Sequence, residues 1–115
     1  MAHATEMLSA VRFQQELRQV TRFRDHPPVG DPLDAAVKKI EQNPAYAQSR
    51  LLARLLVAIT YEQGEFRRSE LSAFDSETLA LITLLIDSHA SGTSTREEWV
   101  RAVDAVTAAQ FDVGA

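Results

Sequence analysis

The sequence predicts an all-α, single-domain bundle of about five helices around a central apolar helix at residues 76–90. Residues 78–86 are apolar on nearly every side, and a helix without a polar face must be surrounded by other elements. The rest of the chain divides into amphipathic segments separated by short Pro, Gly and Asn breaks, which is typical of helices joined by short connections. A chain of 115 residues can bury such a core as one domain, spanning 1–115.

The first predicted helix covers residues 5–24, with Thr5 as its N-cap. Its apolar residues recur at the spacing of one helical face: Ala10, Phe13, Leu17 and Val20. A Pro-rich connection follows at residues 25–32, where three prolines and a glycine interrupt helical structure.

The second helix is predicted at residues 32–42, because Asp31 is a good N-cap and Pro32 suits a first helical position. The third is predicted at residues 44–63, with Asn43 as its cap and Gly64 as its stop. Because the connections are short, neighbours in the sequence are expected to pack antiparallel.

Residues 65–74 are predicted to form a turn and a short helix that bury Phe66, Leu71 and Phe74. The fourth helix then runs from Ser76 to about residue 89, capped by Asp75 or Ser76. A strand is the alternative for so short an apolar run, but the length and the caps favour a helix.

The fifth helix is predicted from Ser94 or Thr95 to residue 110, with a short loose tail at residues 111–115. Two overlapping capping boxes, Ser94–Glu97 and Thr95–Glu98, could start it. Gly92 supplies the stop of the preceding helix.

Composition excludes several classes of protein. The chain has no cysteine, which excludes disulfides, thiolate catalysis and Cys-ligated zinc. Its net charge of −4 disfavours nucleic-acid binding, and its longest apolar run is about half of the roughly 20 residues that a membrane span needs. The first ten residues do not resemble a signal peptide, so we expect a cytoplasmic protein; the excess of Arg over Lys and the many Ala are typical of a GC-rich bacterial genome.

The segment at residues 87–98 resembles an EF-hand calcium loop in part. Gly92 is followed six residues later by Glu98, the Gly-to-Glu spacing of that loop, and the candidate calcium ligands are Asp87, Ser91 and Glu98. His89 stands where an oxygen ligand is expected, and only two carboxylates occupy ligand positions. A helix stop followed by a capping box explains the same residues without metal, and we prefer that interpretation.

No sequence motif identifies a catalytic site. The three histidines lie far apart, no Ser lies in a nucleophile elbow, and four isolated glycines cannot form a phosphate loop. We therefore predict no cofactor and no catalytic residue. An enzyme whose polar groups converge only in three dimensions remains an alternative.

The first helix carries a basic face, on which Arg18 and Arg22 are separated by one helical turn. These two residues are the candidates for contact with an acidic partner; a solvated face is the simpler interpretation. The sequence as a whole predicts a non-enzymatic helical protein that acts by binding another protein or a second copy of itself, without nucleic acid or membrane. A weak calcium site at 87–98 is the other alternative.

Overall fold

The computed structural model describes residues 7–21 and 31–114, except for the side chains of residues 18, 20, 21, 71 and 112–114. Thr5 and residues 25–30 of the Pro-rich connection lie outside the described residues. In chain order the elements are β1 (Met7–Ser9), α1 (Ala10–Thr21), α2 (Pro32–Gln42), α3 (Ala47–Tyr61), β2 (Glu65–Arg67), a 3₁₀ helix (Arg68–Ser72), α4 (Ser76–Ser91) and α5 (Arg96–Gly114). The all-α fold class is confirmed, with a small two-stranded sheet added to it.

The sheet is the main departure from the predicted first helix. β1 pairs antiparallel with β2, and Leu8 lies opposite Phe66. Helix α1 therefore begins at Ala10, where the Ser9 hydroxyl accepts a hydrogen bond from the Arg12 amide (3.2 Å). A strand of three residues is too short for an alternating apolar pattern to be recognised in the sequence, because the helical spacing of α1 follows it directly.

Helix α2 has the predicted bounds. The Asp31 carboxylate accepts a hydrogen bond from the Leu33 amide (3.0 Å), and Pro32 occupies the first helical position. Ala36 and Ile40 are fully buried on its inner face. Here local capping chemistry and the apolar period agree, which is why the prediction is accurate to the residue.

Helix α3 is shorter at both ends than predicted. Asn43 belongs to the C-terminal cap of α2, and its carbonyl accepts from the Tyr46 amide (3.2 Å), so residues 43–46 form a turn instead of a first helical turn. At the other end Glu62 adopts the left-handed conformation (φ 53°) directly after Tyr61. The predicted stop, Gly64, also has a positive φ (114°) but lies beyond the helix end.

Helix α4 is buried on most sides, as its sequence predicts. Leu81, Ile82 and Leu85 are 7%, 0% and 0% exposed. Asp75 caps the helix by accepting from the Thr78 amide (2.8 Å), and this hydrogen bond lowers the pKa of the Asp75 carboxyl. The helix ends at Gly92, whose φ of 68° provides the left-handed stop.

The helices form one core but not through sequence neighbours alone. The most extensive helix contacts join α3 with α5, α2 with α5 and α1 with α4, and buried apolar residues of all five helices belong to one cluster. Several of the principal contacts therefore join helices that are not neighbours in the sequence. Helices α3 and α4 share the centre of the bundle, because most residues of each are buried.

Helix α5 is antiparallel to α3. Near its start Arg96 donates to the Thr60 carbonyl (2.8 Å), and near its end Gln110 donates to the Pro44 carbonyl (3.3 Å). The helix continues to Gly114, so the loose tail predicted from residue 111 is wrong for the residues that the structure describes. No proline or glycine occurs between Gln110 and Gly114 to end the helix earlier. Among the described residues, no helix combines the length and the apolar character that crossing a bilayer requires.

Candidate interaction surface

The two basic candidates on α1, Arg18 and Arg22, fall largely outside the part of the chain that the structure describes. Arg22 and the side chain of Arg18 lie outside the described residues. The neighbouring Arg12 contacts Glu16 (3.2 Å), and Glu16 also contacts Arg68 from the 3₁₀ helix (3.3 Å). Arg12, the arginine of α1 whose side chain is described, is therefore paired within the chain.

The calcium candidates lie at the junction of α4 and α5. The Ser91 hydroxyl donates to the Asp87 carbonyl (2.7 Å), and Glu98 accepts from the Thr95 amide (3.0 Å) while the Thr95 hydroxyl accepts from the Glu98 amide (3.1 Å). The amide hydrogen bond lowers the pKa of the Glu98 carboxyl. Of the two possible capping boxes, the structure forms Thr95–Glu98. In the described part of the chain, no group of three or more His, Asp or Glu side chains could hold a metal ion.

This geometry predicts unequal effects for two adjacent hydroxyls. Thr95→Ala should lower the free energy of unfolding by about 1 kcal/mol, because it removes the N-cap of α5. Ser94→Ala, the matched control, should stay within about 0.5 kcal/mol of wild type. Urea unfolding of the two variants measures the difference.

The same junction gives a test for calcium. We expect the wild-type melting temperature to be equal in millimolar calcium and in chelator, because Glu98 is already engaged by the Thr95 amide. A melting temperature several degrees higher in calcium, lost in Asp87→Ala, would contradict the capping interpretation. It would establish the EF-hand-like site instead.

A groove lies between α2 and α4, away from that junction. Its volume is about 230 Å³. Each helix contributes four lining residues: Ala35, Lys38, Lys39 and Gln42 from α2, and Glu77, Ala80, Leu81 and Leu84 from α4. On α2 these positions follow the spacing i, i+3, i+4, i+7, so they form one helical stripe. The α4 residues have the same spacing and form a second stripe. The two stripes face each other across a groove about two helical turns long.

The floor and the rim of the groove differ in chemistry. Ala35, Ala80, Leu81 and Leu84 form an apolar floor, of which Ala35 and Leu84 are half-buried. The rim is charged: Lys39 lies 3.8 Å from Glu77, with side-chain exposures of 31% and 84%. The groove therefore offers apolar contact at its centre and ionic contact at its edge.

Lys38 is the second cation of the rim and pairs with Asp34 one turn earlier in α2 (3.0 Å). Their hydrogen bond raises the pKa of the Lys38 ammonium. Lys38 and Lys39 are the two lysines of the chain. The groove lining thus carries two positive charges and one negative charge, Glu77, while Asp34 lines the neighbouring depression between α2 and α5.

The groove opens at one end of the bundle. The Gln48 side chain accepts from the Asp75 amide (2.8 Å), which places the start of α3 beside the start of α4, and the turn at residues 43–46 follows directly from Gln42. The Gln110–Pro44 hydrogen bond brings the end of α5 to the same turn. Four helix termini therefore meet next to the groove.

Two exposed aromatic side chains lie at this end. Tyr46 is 66% exposed and Phe111 is 75% exposed, the highest values among the large apolar side chains described. Both are close in the chain to the Gln110–Pro44 contact: Tyr46 is the N-cap residue before α3, and Phe111 follows Gln110 in α5. We call Tyr46 and Phe111 the aromatic ledge.

Two other depressions are less suited to a partner. One lies between α2 and α5, and its carboxylates already have partners: Asp31 bonds the Leu33 amide, Asp34 pairs with Lys38, and Glu98 bonds the Thr95 amide. The other lies beside Arg54, which contacts Glu70 (2.6 Å) and stacks over the Phe66 ring (4.9 Å). Lys38 and Lys39 of the α2–α4 groove are paired within the chain as well, so what distinguishes that groove is its apolar floor of Ala35, Ala80, Leu81 and Leu84.

No protein-family model, no curated protein and no solved structure matches this chain. Function is therefore inferred from the chemistry of the α2–α4 groove.

Sequence reasoning missed this groove. It assigned Leu81 and Leu84 to an apolar helix and Lys38 and Lys39 to a helix end, without a way to bring the two helices together. The matching i, i+3, i+4, i+7 stripes were the available signal. They could not be paired because α2 and α4 are separated by α3 in the sequence.

Proposed function

We propose that the protein is a non-enzymatic interaction module that binds another polypeptide in the α2–α4 groove. The observation that carries the proposal is the combination of an apolar floor with a charged rim. A helix laid in a groove uses this combination, with apolar anchors at the centre and ion pairs at the edge. Half-buried Leu84 is the larger of the two side chains through which the floor reaches the surface; the other is Ala35.

The size of the groove supports a polypeptide over a small molecule. Pockets for drug-sized ligands have volumes of roughly 300–1,000 Å³ and bury most of the ligand. The α2–α4 groove measures about 230 Å³. It suits the tips of one or two apolar side chains that are presented by a larger partner.

The proposal predicts position-specific crosslinking in the cell. A photo-crosslinking amino acid at Gln42, in the groove, should give a covalent adduct with a partner. The same amino acid at Gln63, beside Arg54, is the matched control and should give much less adduct. Adding Leu84→Glu to the Gln42 variant should abolish the adduct, because a carboxylate replaces the apolar floor.

The mass of the adduct identifies the type of partner, since a second copy adds 12.8 kDa. Equal crosslinking from Gln42 and Gln63, or an adduct that survives Leu84→Glu, would contradict the proposal. Val57→Glu serves as a control for the substitution, because Val57 is also half-buried and lines the depression beside Arg54.

A further inference from the structure

We draw no further inference here: the strongest candidate, the aromatic ledge of Tyr46 and Phe111 at the end of the bundle where Gln110 contacts Pro44, is an exposed apolar surface, and nothing in the structure shows what covers it.

Discussion

Replacing Leu85 by Ala is expected to lower the free energy of unfolding by roughly 2–5 kcal/mol. Leu85 is completely buried in α4, where the helix contacts α1, α2 and α3. The truncation removes apolar contact and leaves a cavity that surrounding helices can fill only in part. Urea unfolding followed by circular dichroism measures the change.

Leu84→Ala is the control for that experiment. The two leucines are adjacent on one helix, but Leu84 is half-buried at the groove, so its truncation should cost clearly less. An unchanged urea midpoint for Leu85→Ala would mean that α4 does not form the centre of the bundle. Equal losses for both variants would mean that the groove floor is as enclosed as the core.

Phe66→Ala is expected to have an effect of similar size or larger, roughly 3–5 kcal/mol. The Phe66 ring is 1% exposed and stacks on Phe13, with 4.2 Å between the ring centroids and 10° between the ring planes. The guanidinium of Arg54 covers it from α3. The substitution should also release β1, whose Leu8 lies opposite Phe66.

Hydrogen exchange at residues 7–9 distinguishes that second effect from general destabilisation. Phe66→Ala should speed exchange there more than Leu85→Ala does, when the two variants are compared at equal global stability. Phe66→Leu, which keeps an apolar side chain in place, should recover part of the loss. Wild-type exchange at residues 7–9 in Phe66→Ala would show that the ring does not hold the sheet.

The sequence predicts the interior of the helices better than their ends. The buried stripe of α2 and the burial of α4 on most sides follow from the spacing of apolar residues. This spacing can be read within each helix alone, without knowledge of the rest of the chain. Errors occur where two signals overlap: Asn43 and Pro44 resemble a helix start, yet Asn43 caps the preceding helix. Short strands such as β1 depend on a partner far along the chain, and local spacing carries no information about that partner.

The candidate site is harder to predict than the fold for the same reason. Leu84 is one leucine among several in α4, and nothing in the sequence marks it as the one that faces a groove. Its position follows only from the packing of α2 against α4. The sequence places Phe111 in a loose tail, whereas α5 continues past residue 110 and includes it.

The β1–β2 pairing has a consequence for the order of folding. Together with the Glu16–Arg68 ion pair, whose members are 52 residues apart, it closes a long loop that contains α2 and α3. Closing such a loop costs chain entropy before its contacts form, so local helical contacts should precede it. Contacts made after the rate-limiting step govern how fast a protein unfolds, which makes this small sheet a determinant of the native lifetime of the molecule.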